Sequence, residues 1–76
     1  MNDTLKKDCL DILYKKYGLS AWSCKFIMKS FDKWSVFKSP VHICLAMIAS
    51  YRKDKEALKK FEAEKIEFFK QFNFFE

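Results

Sequence analysis

The sequence predicts an all-α protein, a compact three- to four-helix bundle around a central apolar helix at about residues 40–51. The chain has one Gly and one Pro among its 76 residues, and these two residue types usually mark turns. Apolar side chains recur at helical spacing along most of its length. Nine Phe, three Tyr and two Trp residues supply the bulk that a small core needs. We therefore expect a single helical domain over residues 1–76.

The first predicted helix covers about residues 4–17. Asp3 or Thr4 suits its N-cap, and Gly18 stands where a left-handed residue commonly ends a helix. At 100° per residue one side of this helix is apolar, and we expect that side to face the core: Leu5, Cys9, Ile12, Leu13 and Tyr17.

The second predicted helix begins after Ser20, a favourable N-cap, and runs to about Lys33 or Trp34. Its core-facing arc contains Cys24, Ile27, Met28 and Phe31. The connector that follows, WSVFKS, is unusually apolar for a loop, so we expect Val36 and Phe37 to point inward.

The third predicted helix begins with a Ser-Pro pair, in which Ser39 is the N-cap and Pro40 the first helical residue. Its apolar side chains lie on every side, which predicts a place in the middle of the bundle. If the helix continued to Phe72 it would be about 50 Å long, far longer than a globule of this size. We therefore predict a break near YRKD, with Asp54 capping a fourth helix.

The fourth predicted helix carries a phenylalanine-rich stripe within an arc of about 120°. Its members are Leu58, Phe61, Phe68, Phe69, Phe72 and Phe75. We expect the stripe to close the bundle over the third helix. An alternative is that the last turn extends beyond the globule, which makes Phe72, Phe74 and Phe75 candidates for self-association as a homodimer.

The cysteine and histidine pattern predicts no catalytic or metal chemistry. Cys9, Cys24 and Cys44 are widely spaced and form no CxxC pair, so we expect free thiols in a reducing compartment such as the cytoplasm. The single histidine, His42, is predicted to be a partly buried residue of the first helical turn. We expect no enzyme activity, no metal and no cofactor. The longest apolar run, residues 41–49, is short of the ~20 residues that a membrane helix needs.

The second helix carries the strongest indication of function. Lys25, Lys29 and Lys33 follow one another at i, i+4 and i+8, and Trp22 and Phe26 lie on the same side. Aromatic anchors among lysines are typical of protein-binding surfaces. With a net charge of +5, the chain is expected to occlude an acidic surface of another protein, as an inhibitor or accessory factor would. The competing interpretation is that other helices cover Trp22 and Phe26.

Two alternative functions follow from the same sequence. LYKKYGLSAWSCKFI fits a helix–turn–helix pattern, which predicts a small DNA-binding regulator, although the second helix lacks Arg, Asn and Gln for reading base edges. A self-assembling subunit would use the C-terminal phenylalanines. The abundance of Lys and Phe in so short a chain also suggests a phage or mobile-element protein.

Overall fold

The structure, a computed structural model, describes the backbone of residues 2–72 and the side chains of residues 3–71. All regular structure in this range is helical: α1 (Asn2–Lys15), α2 (Ala21–Ile27), α3 (Phe31–Trp34), α4 (Pro40–Arg52) and α5 (Lys55–Phe72). Two short 3₁₀ turns, Met28–Ser30 and Ser35–Phe37, flank α3. Helix α4 packs against α1, α2, α3 and α5. The predicted all-α bundle around a central helix is confirmed.

The first turn of the chain forms largely as expected. Gly18 has a φ of +61°, and this left-handed conformation lets the chain turn away after α1. The Leu19 amide bonds the Leu13 carbonyl at 3.0 Å, which closes the turn. The N-cap prediction was wrong, because α1 begins at Asn2 and Asp3 and Thr4 lie inside its first turn. A carboxylate in the first turn is still favourable, because it faces the positive end of the helix dipole.

Helix α2 begins at its predicted cap but ends earlier than predicted. The Ser20 hydroxyl accepts a hydrogen bond from the Ser23 amide at 3.2 Å. The α-helical pattern then stops, because the Ser30 hydroxyl donates a hydrogen bond to the Ile27 carbonyl at 3.3 Å. The Phe31 amide then donates to the Met28 carbonyl instead of to that of Ile27. The predicted continuous helix to Lys33 or Trp34 is therefore replaced by a 3₁₀ turn and the short α3.

The 3₁₀ turns change which side chains enter the core. With about three residues per turn, positions three apart share a side, and Phe31, Trp34 and Phe37 are all buried. The Trp34 and Phe37 rings stack at 5.9 Å between centroids, and Phe61 of α5 meets Trp34 edge to face at 6.2 Å. The inward positions of Phe37 and half-buried Val36 are confirmed.

The break between α4 and α5 is confirmed. Lys53 has a φ of +57°, and the Asp54 amide returns to the Ala49 carbonyl at 3.0 Å. Asp54 then caps α5, because its carboxylate accepts a hydrogen bond from the Ala57 amide at 3.2 Å. Ser39 occupies the N-cap position of α4 as predicted, although its side chain makes no capping hydrogen bond.

Helix α4 is central, but it is not covered on every side as the sequence predicted. Its buried residues are Ile43, Cys44, Ala46, Met47 and Ala49. Val41 and Leu45 remain 42% and 44% exposed, because the other four helices cover only part of its circumference. The central helix therefore has an apolar side in contact with solvent.

Candidate functional site

Helix α2 and the 3₁₀ turn after it place aromatic and basic side chains outside the bundle. Cys24 and Ile27 are buried on the inner side, which fixes the rotation of the helix. At 100° per residue the opposite arc holds the set that we call the α2 face: Trp22, Lys25, Phe26 and Lys29. The sequence predicted one surface of five residues, these four and Lys33, and the structure keeps the four outside the core.

The aromatic pair of the α2 face is ordered by contacts of its own. Trp22 meets Phe26 edge to face, with ring centroids 5.0 Å apart and an interplanar angle of 62°. The Lys29 ammonium lies 4.4 Å from the centroid of the Phe26 ring, a cation–π contact. Phe26 is half-buried, whereas Trp22 is 68% exposed, the largest value among the exposed large hydrophobic residues that the structure describes. The competing interpretation, that other helices cover Trp22 and Phe26, is wrong for Trp22, whereas Phe26 is partly covered.

The lysines of the α2 face have no acidic partner in the described part of the chain. Ion pairs among residues 3–71 join Lys33 to Glu62, His42 to Glu64 and Lys70 to Glu67. Neither Lys25 nor Lys29 lies within 4.0 Å of a carboxylate oxygen of these residues. The α2 face therefore presents positive charge that residues 3–71 leave without an acidic partner.

Lys33 lies in a different environment from Lys25 and Lys29. Its ammonium lies 2.8 Å from a carboxylate oxygen of Glu62 on α5 and 4.9 Å from the centroid of the Trp34 ring. The 3₁₀ turn at Met28–Ser30 adds rotation between Lys29 and Lys33, so the two no longer follow one α-helical stripe. Lys33 thus links α3 to α5, a role that a continuous helical wheel did not predict.

The predicted self-association residues lie at the limit of the described chain. Phe72 is the last residue of α5, and Phe74 and Phe75 lie outside the described residues. Earlier in the stripe, Leu58 and Phe61 pack against the core. Phe69 is 44% exposed, and its ring lies 6.0 Å from the Lys65 ammonium.

The three thiols lie close together in the core, where they are poorly reactive. Cys9, Cys24 and Cys44 are buried and free. Burial, followed by the neighbouring Cys9, raises the pKa of Cys44 to about 12, and burial also raises the pKa of Cys9 and of Cys24. Because the thiolate is the nucleophile, these neutral thiols are poor nucleophiles at neutral pH. Among residues 3–71 no group of His, Cys, Asp or Glu has an arrangement that could hold a metal ion.

His42 lies in an aromatic and acidic contact between α4 and α5. Its ring centroid is 4.2 Å from that of Phe37 and 5.5 Å from that of Phe61. Its Nε2 lies 3.0 Å from a Glu64 carboxylate oxygen, without hydrogen-bond geometry, so the contact is an ion pair only when the imidazole is protonated. The predicted partly buried histidine is confirmed, since its exposure is intermediate.

Sequence reasoning missed one surface. Val41, Leu45 and Ile48 follow at i, i+4 and i+7 on α4, and we call them the α4 face. The signal was present in the sequence, because the spacing is regular. A helix that is apolar on all sides, however, does not indicate which side its neighbours leave open.

Comparison with known proteins gives no assignment: no family model, no curated protein and no solved structure matches the chain. None of the helices between residues 2 and 72 combines the length and the apolarity that a membrane crossing requires.

Proposed function

We propose that this chain is a small non-enzymatic protein-binding module that docks on an acidic surface of another protein through the α2 face. One observation carries the proposal: an exposed Trp22 packs against Phe26 on a face that also carries Lys25 and Lys29, and neither lysine has a carboxylate partner in the described residues. Trp is the residue type most enriched among the residues that dominate binding energies.

The contacts within the α2 face favour binding with a low entropic cost. Trp22 rests on Phe26, and Phe26 is held by the Lys29 cation. An anchor that is already ordered loses less side-chain freedom when a partner covers it. Covering a Trp ring that is 68% exposed also removes apolar area from water, the main driving force of association. Trp22 is therefore the anchor of the proposed interface.

The unpaired lysines define the chemistry of the partner. Burying Lys25 or Lys29 against an apolar surface would desolvate a charge with no compensation, which costs several kcal/mol by general estimates. An acidic surface supplies the missing charge and also accelerates encounter with a protein of net charge +5. A chain of this size that covers such a surface acts as an inhibitor or accessory factor, in the cytoplasm or another reducing compartment.

The test is affinity capture from the native host with three forms of the protein. The first is the parent chain, and the second carries Trp22→Ala with Lys29→Glu. The third is a matched control, Ile66→Ala with Lys59→Glu, which makes similar changes at exposed positions of α5. We expect the parent and the control to retain one acidic partner and the α2 variant to lose it. Circular dichroism of all three forms verifies that the helices remain.

Two outcomes would contradict the proposal. The first is undiminished capture by the α2 variant with intact helicity. The second is binding of random duplex DNA that depends on Trp22 and Lys29 and weakens steeply with salt, because this would assign the α2 face to phosphate binding. The second outcome would favour the DNA-binding alternative.

A further inference from the structure

The α4 face is a second exposed surface, distinct from the α2 face. Val41 and Leu45 are 42% and 44% exposed, and Ile48 is half-buried at the next position of the same line. The side chains through which α4 meets the core, such as Cys44 and Met47, point to other sides of the helix. The α4 face is therefore uncharged and apolar; Ile48 packs partly against the core, whereas the described residues leave Val41 and Leu45 open to solvent.

The two ends of the α4 face carry opposite charge. Near the N-terminal end the Glu64 carboxylate lies 3.0 Å from Nε2 of His42, the residue that follows Val41 on α4. At the C-terminal end Arg52 continues the line of Val41, Leu45 and Ile48, and it is exposed. The two ends are about 16 Å apart, given ~1.5 Å of rise per residue. The apolar middle thus has an acidic residue of α5 near one end of α4 and a basic residue of α4 at the other.

We propose that a second copy of this chain covers the α4 face, with the two α4 helices antiparallel about a twofold axis. An antiparallel arrangement places Arg52 of each copy beside Glu64 of the other, so both charged ends are paired in one symmetric contact. A parallel arrangement would place Arg52 against Arg52. A uniformly acidic partner would match only the basic end of this surface, whereas an identical copy matches both.

The apolar middle suits a self-contact in spite of the net positive charge of the chain. Val41, Leu45 and Ile48 bring no like charges together, and their i, i+4, i+7 spacing is the kind that packs helix against helix. Because the surface is one helix wide, the interface is small and the dimer weak. We therefore expect a transient contact, in which the dimer becomes populated only as the protein concentration rises.

The first test is the mass of the protein in solution, measured by sedimentation equilibrium over a concentration series. We expect the apparent mass to rise from the monomer value of 9.1 kDa towards twice that value as concentration increases. Leu45→Lys should hold the protein at the monomer mass, because it places a charge in the middle of the interface. Ile66→Lys, at an exposed apolar position on α5, is the control and should dimerise like the parent.

The second test is a charge exchange between Arg52 and Glu64, which shows whether the two α4 helices are antiparallel in the dimer. Arg52→Glu and Glu64→Lys should each raise the dissociation constant, by about tenfold, within the range that interfacial charge pairs contribute. The double variant carrying both changes should recover dimerisation, because the two charges are exchanged at both ends. Thermal melts verify that each variant is folded, which matters for Glu64 because of its contact with His42.

Three results would overturn the proposal. The parent chain could remain a monomer throughout the concentration series. Leu45→Lys could dimerise as well as the parent, in which case the dimer uses another surface, such as the C-terminal phenylalanines. The double charge exchange could fail to restore dimerisation while remaining folded, which would exclude the antiparallel pairing. None of these results bears on the α2 face, so the function proposed above is tested separately.

Discussion

Cys44 donates its thiol hydrogen to the backbone carbonyl oxygen of Cys9, with 3.4 Å between Sγ and O, and this contact joins α4 to α1 inside the core. The contact requires a neutral thiol, and burial raises the pKa of Cys44 to about 12 from its ordinary value of 9.0. The folded protein therefore binds this proton more tightly than the unfolded chain does.

We predict that alkaline pH destabilises the protein through Cys44. A thiol whose pKa is raised on folding contributes stability that is fully present below its unfolded pKa and is lost as pH rises from 9.0 towards about 12. In that window the free energy of unfolding should fall by about 1.4 kcal/mol per pH unit for one such thiol. Urea unfolding at about pH 8 and about pH 10.5 measures the loss. Cys44→Ala should show a smaller loss, and equal losses in both proteins would contradict the assignment.

We predict that Trp34 is the most costly aromatic to remove. It is fully buried, stacked on Phe37 and bordered by the Lys33 and Lys65 ammonium groups. Trp34→Ala should cost about 3–5 kcal/mol, enough to unfold a domain this small. Trp34→Phe should cost clearly less, because it retains a ring and removes an indole N–H that has no hydrogen-bond partner in the described residues. Chemical denaturation measures both, and equal costs would contradict this account.

We predict that Lys33 and Lys29 differ in role, although the sequence places them in one stripe. Lys33→Gln removes an exposed ion pair with Glu62, which is worth about 0.2–1 kcal/mol of stability, and it should leave partner capture unchanged. Lys29→Gln removes the cation–π contact with Phe26, worth about 0.5–1 kcal/mol at an exposed site, and should in addition weaken capture, increasingly so at low salt. Raising salt from about 0.1 M to about 1 M shortens the Debye length from about 10 Å to about 3 Å and should reduce this difference. Equal effects of the two substitutions on capture would show that Lys33 belongs to the binding surface.

We predict that α5 depends on its cap at Asp54. Asp54→Ala leaves the Ala57 amide without its side-chain acceptor and should lower the free energy of unfolding by about 1 kcal/mol. Asp54→Asn keeps an acceptor oxygen and should retain most of the stability. Thermal unfolding compares the two. A melting temperature for Asp54→Ala equal to that of the parent would mean that solvent replaces the cap at no cost.

The local signals in the sequence were sufficient for the turn after α1 and for the starts of α2 and α5. Gly18, Ser20 and Asp54 each act through their own backbone or side-chain chemistry, so their positions could be predicted without knowledge of the rest of the fold. The break before α5 was also predictable, because an uninterrupted helix would be longer than a globule of this size. These features depend on few residues and short distances.

The features that the sequence did not predict depend on competition between alternative hydrogen bonds or alternative packing arrangements. Ser30 in a helical pattern ordinarily has little effect on helix stability. Here its hydroxyl donates a hydrogen bond to the Ile27 carbonyl and changes the helical period from α to 3₁₀. All positions beyond it rotate, which buries Trp34 and turns Lys33 towards α5. The exposed α4 face was missed for a different reason, since coverage depends on how many helices a chain of this length can place around its central one.

The two tryptophans lie in opposite environments, so their intrinsic fluorescence can report on two different events. Trp22 is 68% exposed, whereas Trp34 has no accessible surface. Trp22→Phe leaves Trp34 as the single indole, whose emission follows unfolding, and Trp34→Phe leaves Trp22, whose emission and quenching by iodide follow the covering of the α2 face. Folding and partner binding can thus be recorded separately in unlabelled protein.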